Sequence, residues 1–232
     1  LNQFPAKNPD LTAQTSCLLS VRNLSDGGVL RDVSFDLRKG EVLGLGGLIG
    51  AGRSETARAI CGLGRKTNGD ITMHGKPFVV GDYSDSIRNG LVYLSEDRKG
   101  SGVFLDLSIA ANTTALDLRH VSANGFVRHR AETTRAEELG RLLSLRCESV
   151  SQPVSSLSGG NQQKVAIAKM LSVHPEIIIF DEPTRGVDVG AKSEIYTILR
   201  NLAAEGVGVL VISSEMPELI GLCDRILVLH EG

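Results

Sequence analysis

An α/β fold is predicted here, with a mostly parallel core sheet, a mixed or antiparallel β subdomain and an inserted helical subdomain. Three observations predict it. Apolar, strand-like runs alternate with helical runs at both ends of the chain. Two early alternating strands flank an Asp26-Gly27-Gly28 turn. Between Ile109 and Leu145 the apolar period is helical, and the segment interrupts the α/β alternation as an insert.

The elements follow in order. Residues 1–16 are polar, carry Pro5 and Pro9, and read as a linker or arm. Leu18–Asn23 and Val33–Leu37 alternate as strands, and Glu41–Leu45 is a short buried strand. A glycine-rich loop and a helix over Ser54–Cys61 come next. Gly69–Met73 with His74-Gly75-Lys76 predicts a hairpin, and Gly90–Leu94 another strand. Within the helical insert, Arg130–Leu145 is charged on one side and apolar on the other. Ser158-Gly159-Gly160 opens a helix over Asn161–Ser172. The strand Ile177–Asp181, the helix Ala191–Glu205, the strand Gly208–Ser213, the helix Pro217–Leu222 and the strand Arg225–Leu229 complete the alternation.

Composition narrows the classes. The chain has 232 residues, 41% hydrophobic and 22% charged, which suits one globular domain or a domain with an inserted lobe. A net charge of −2 argues against a nucleic-acid surface. Cys17, Cys61, Cys147 and Cys223 lie far apart with no C-x-x-C pair, as expected of reduced structural thiols. His74, His120, His129, His174 and His230 form no i, i+4 metal pair. No apolar run approaches the ~20 residues of a membrane span. The chain starts at Leu1 rather than Met and stops at Gly232 just after a strand, so a piece of a longer polypeptide is expected.

Three motifs carry chemistry. Gly47-Leu48-Ile49-Gly50-Ala51-Gly52-Arg53-Ser54 follows a strand and opens a helix, the context of a phosphate-binding loop. It meets G-x-x-x-x-G-K-[ST] except that Arg53 replaces the lysine. Its glycines let backbone N–H groups curl round a phosphate, and Ser54 is a candidate Mg²⁺ ligand. Arg53 keeps the charge but is a bulkier, planar donor, so its hold on phosphate differs from a lysine's. Glu55 sets a carboxylate close to the same helix start. At about 6 Å from a phosphate charge that costs roughly 3 kcal/mol before screening.

The second motif is Asp181-Glu182 at the end of an apolar strand. Asp181 is placed to hold Mg²⁺ through water, and Glu182 to polarise an attacking water. The third is Ser158-Gly159-Gly160, a helix start whose free N–H groups favour a phosphate. Together they point to a nucleotide-hydrolysing machine.

These residues resemble an ATP-binding cassette ATPase over nearly the whole chain from Leu18. Leu157–Val165, Asp181–Lys192 and Ser213–Glu218 resemble the ATPase subunit of bacterial monosaccharide importers of the ribose, galactose and xylose kind. That family fuses two cassettes in one polypeptide. Tyr93–Lys99 and the arginine in the phosphate loop resemble its second, C-terminal cassette. The resemblance implies residues 1–16 as an arm from a preceding cassette, 17–96 and 161–232 as the ATP-binding core with its β subdomain, and 97–160 as the helical subdomain.

It also implies roles. ATP and Mg²⁺ are the expected cofactors, with nucleotide held by Gly47 through Glu55 and the metal by Ser54, Asp181 and Glu96. Two cassettes pack head to tail, so Ser158, Gly159, Gly160 and Gln162 act on ATP held by the partner cassette. Asp188 lies at the dimer contact, and Glu182, Asp188 and Ser214 form the catalytic set. The expected partners are the first cassette of the same polypeptide, the transmembrane permease subunits and, indirectly, a periplasmic sugar-binding protein, with no nucleic acid. The expected location is peripheral, on the cytoplasmic face of the inner membrane.

Four features depart from the family pattern: Arg53 for lysine, Glu96 for glutamine, Ser214 for histidine, and no adenine-stacking aromatic in Val21–Asp26. Losing one proton-transfer or charge-stabilising group costs about 10²- to 10⁴-fold. An intact signature beside a degraded loop therefore predicts an asymmetric cassette that completes the partner's ATP site while its own site is slow. The alternative is a catalytically inert regulatory or scaffold module. A soluble cassette of translation or repair is disfavoured, because the long charged insertions and coiled-coil arms of that class are lacking. Arg128-His129-Arg130 reads as a solvated helix start.

Overall fold

The computed structural model describes residues 4–8, 11, 15–97, 100 and 102–232. Lys99, the last residue of one stretch carrying the family resemblance, and Arg98 beside it lie outside the described residues. The chain divides into two compact units.

The first unit takes in the described residues of Leu1–Tyr93 with Pro175–Pro183 and Tyr196–Gly232. Its small sheet is antiparallel, in the order β2-β1-β4-β5. The strands are β1 (Cys17–Ser25), β2 (Val33–Arg38), β4 (Asn68–Met73) and β5 (Lys76–Pro77). Val33, Phe35 and Leu37 of β2 alternate inward, as one buried face requires, while in β1 Leu19, Val21 and Leu24 are buried with a register shift between the last two. The larger sheet runs β11-β3-β10-β9-β6. Its strands are β3 (Val42–Gly47), β6 (Leu91–Leu94), β9 (Ile177–Asp181), β10 (Gly208–Ile212) and β11 (Arg225–Leu229). β3, β9, β10 and β11 pair in parallel. β9 and β10 are buried along their whole length, which explains why they read as continuous apolar runs rather than alternating ones. Helix α1 (Arg53–Ile60) follows β3, and α8 (Met216–Leu222) packs on β3.

The second unit comprises the described residues of Leu94–His174 with Thr184–Ile195. Helices α3 (Ile109–Thr114), α5 (His129–Leu142) and α6 (Gly159–Leu171) pack on one another. α4 (Leu118–Val121) leads into a hairpin of β7 (Ser122–Ala123) and β8 (Phe126–Val127). Helix α7 (Val189–Ala204) starts in this unit and ends in the first. No helix among the described residues is long and apolar enough to cross a membrane.

The helical reading of 109–145 needs correction. Asn124 (φ 51°) and Gly125 (φ 82°) are both left-handed, as a two-residue hairpin turn demands, and they split the segment. The later helix runs over His129–Leu142 rather than Arg130–Leu145, with Ser144 left-handed just beyond its end. The exposed Arg128, His129 and Arg130 stand at its start, as expected. The short α2 (Tyr83–Arg88), capped by the Asp82 carboxylate on the Asp85 amide at 3.0 Å, was not anticipated. Six residues give too few periods to register.

Candidate functional site

In the first unit, β3 delivers the chain into the phosphate-loop motif. Gly47, Gly50 and Gly52 have φ of 149°, 82° and 96°, so the loop curls in a way only glycine tolerates at three points. α1 begins at Arg53, one residue earlier than expected, with Gly52 as its N-cap and no side chain capping its first amides. Those N–H groups are free to meet an anion. Nothing lies within 4 Å of where a Cβ on Gly50 would stand, so the loop has an open face. A phosphate chain fits this cradle. Ser54 is partly exposed at the second helical position, and Glu55 is exposed, where water screens its charge. Leu48 and Ile49 are 76% and 94% exposed.

Arg53 does not project freely. Its side chain is 11% exposed, and its Nη1 lies 3.6 Å from Oε1 of Glu182. That separation is a charge contact rather than a hydrogen bond, and Nη1 is buried without a hydrogen-bond partner. Glu182 has a left-handed backbone (φ 50°), with its N–H on the Ile212 carbonyl at 2.9 Å. Its Oε1 accepts the Ser214 N–H at 2.7 Å. Burial pushes the Glu182 carboxyl up, while the hydrogen bonding to Ser214 and the Arg53 charge oppose that rise. Arg53, Glu182 and Ser214 thus converge at the ends of β9 and β10.

Asp181, the last residue of β9, is 1% exposed. Its Oδ2 accepts a hydrogen bond from the Tyr93 hydroxyl at 2.8 Å. The sequence reading named Tyr93 as a strand residue and as the start of the Tyr93–Lys99 resemblance, but not as a partner of Asp181. Its hydroxyl among apolar strand neighbours was the available signal.

In the second unit the signature helix α6 starts at Gly159, not Asn161, so both glycines are helical and Ser158 is the N-cap. The Ser158 hydroxyl accepts from the Asn161 side chain at 3.0 Å and caps no backbone amide. A Cβ on Gly160 would lie 2.5 Å from Cβ of Ala191, so this helix start approaches α7 more closely than any side chain allows. Gln162 donates to the Leu157 carbonyl at 3.1 Å. The buried Lys164 reaches the Ser144 carbonyl at 2.7 Å and Glu194 at 2.6 Å, tying α6 to α7. Asp188 accepts the Ala191 N–H at 3.0 Å and so caps α7. Glu96 pairs with Arg185 at 2.6 Å.

The parallel sheet, the curled glycine loop opening a helix, the buried carboxylate ending β9 and the Ser-Gly-Gly helix start define a nucleotide-binding cassette. Residues 30–185 match the ABC transporter family, and the chain belongs to it. It is 59% identical over 230 residues to the ribose import ATP-binding protein RbsA 2 of Agrobacterium fabrum, covering 99% of this chain and 46% of that protein. It is 51% identical to a putative ribose/galactose/methyl galactoside import ATP-binding protein of Burkholderia cenocepacia, covering 93% of this chain and 42% of that one. The chain thus spans about half the length of the curated relatives it matches. Among solved structures, a nucleotide-free ATP-binding cassette of an ABC transporter superposes with TM-score 0.81 at 20% identity, covering 93% of this chain and 88% of that one. A dimeric cassette bound to ADP and phosphate gives 0.76 at 22%, covering 93% and 95%.

Proposed function

We propose that this chain is the second, C-terminal cassette of the ATPase subunit of a ribose-type monosaccharide importer. Its signature helix start completes an ATP site on a partner cassette, and its own phosphate loop turns over slowly. Its partners are then a first cassette in the same polypeptide, permease subunits and, through them, a periplasmic sugar-binding protein. It works peripherally, at the cytoplasmic face of the inner membrane. The naming of the relatives and their roughly twofold length support this reading.

One observation carries the asymmetry. Arg53, where the family has its phosphate-gripping lysine, lies against Glu182. MgATP, when bound, supplies the phosphoryl group and the neutralising metal. Gly47–Ser54 then present their amides to the phosphates, and Ser54 and Asp181 hold the metal. Glu182 orients water through the carboxylate that Ser214 fixes. Arg53 counters the charge of Glu182, which weakens both its grip on phosphate and the basicity of the carboxylate. Ser158, Gly159, Gly160, Gln162 and Asp188 remain available to the partner's nucleotide.

ATP turnover tests this. The chain alone should hydrolyse ATP at least ~10²-fold more slowly than when joined to a cassette bearing a lysine in its phosphate loop. Ser158→Ala should abolish the gain. Robust turnover by the chain alone overturns the proposal.

A further inference from the structure

Residues 4–8 do not trail from the domain but lie on it. The Phe4 ring stacks on Tyr196 of α7, with centroids 4.9 Å apart and planes at 27°. The same ring sits on Gly221 of α8, where a Cβ would lie 2.5 Å from Phe4 Cγ. Lys7 Nζ donates to the Ile220 carbonyl at 2.8 Å, a cation on the final turn of α8. The Asn8 amide nitrogen donates to Asp224 at 3.3 Å and its side chain to the Gly40 carbonyl at 3.4 Å. One aromatic ring and one ammonium thus fasten the arm on the last turn of α8, and the backbone and side-chain donors of Asn8 tie it to Asp224 and Gly40. A side chain at position 221 would occupy the space of the Phe4 ring, so a glycine lets the ring seat there.

α8 reaches the site at its other end. Buried Glu218 accepts the Ser213 hydroxyl, and the next residue, Ser214, gives its N–H to Glu182 at 2.7 Å. Leu219 lies against β3 so closely that a Cβ on Gly46 would be 3.0 Å from its Cδ1. β3 leads directly into the phosphate loop.

We infer that the arm is a strap seated in a notch of α8, and that Phe4 is a positioning residue for Glu182, acting through α8 and the Ser213-Ser214 turn. A chain segment upstream of the cassette can then bias the hydrolytic end of the site by seating or lifting one aromatic ring. This rests on the reading of Glu182 and Ser214 given above, but the test uses no nucleotide, so its failure is distinct from failure of the ATPase experiment.

The test is a change of sign. Gly221→Ala should lower Tm in the chain with Phe4, because the methyl group strikes the ring. In a Phe4→Ala background the same substitution should raise Tm by about 2–3 °C, the ordinary gain of alanine over glycine in a helix. Amide exchange read by NMR should show the Ser214 N–H opening at least about fivefold more often in Phe4→Ala than in the parent. The same sign for Gly221→Ala in both backgrounds, or an unchanged Ser214 amide, overturns the inference.

Discussion

The hydroxyl of Tyr93 on β6 donates to Asp181 on β9 at 2.8 Å, so a phenol anchors the carboxylate that ends the neighbouring strand. Both residues are buried, and a hydrogen bond to a charged group is worth about 1.5–3 kcal/mol. Tyr93→Phe should therefore lower unfolding free energy by that amount in urea titrations, with the m-value unchanged.

Ser158 and Gly160, at the start of α6, contribute unequally to stability. Ser158 caps no backbone amide, so Ser158→Ala should cost less than the ~1 kcal/mol of an ordinary N-cap loss. Gly160→Ala should cost about 1–3 kcal/mol, because its methyl would meet Ala191. Thermal unfolding of the two variants checks the contrast.

Lys169 predicts a pH dependence. Its ammonium is buried, bonds the Gly102 carbonyl and stands 5.6 Å from the Phe104 ring centre. Burial lowers its pKa to about 8. The unfolded chain, with a lysine near 10.4, holds more protons between those values, so stability rises with pH across that window. The slope from one group is at most about 1.4 kcal/mol per pH unit. Lys169→Gln should remove that part of the slope between pH 8 and about 10, read as the difference between the two denaturation series.

The Arg200–Asp224 pair is 6% and 5% exposed, with Nη1 and Oδ2 2.9 Å apart. Asp224 also accepts the Val42 N–H at 2.8 Å. Arg200→Met should cost about 3–5 kcal/mol by stranding a buried carboxylate. Adding Asp224→Asn should recover part of that loss, because the charge goes while an acceptor for Val42 remains. Chemical denaturation of the single and double variants measures the difference.

Most of the α/β alternation was legible because β3, β9 and β10 are apolar runs bounded by glycines or carboxylates, which mark strand ends in one dimension. The glycine loop and the Asp181-Glu182 pair could be read as candidates because their residues are consecutive in sequence. The Asn124-Gly125 hairpin was missed because helical periods on both sides outweighed two short strands. Both glycines of the signature were placed ahead of the helix because glycine is a poor helix former, yet close approach to Ala191 keeps Gly160 inside it. The contacts of Arg53 with Glu182, Tyr93 with Asp181 and Phe4 with Gly221 join residues remote in sequence. Only the sheet order and the packing of α8 bring them together.

The left-handed backbone of Glu182 sets a conflict between durability and chemistry. An L-residue with a side chain gives up about 1–2 kcal/mol in that conformation, and glycine gives up almost nothing. A screen for thermostable variants should therefore be drawn to glycine or asparagine at this position, and each such gain would discard the carboxylate. On the role proposed for Glu182, the most heat-resistant descendants of this chain would be those least able to orient water.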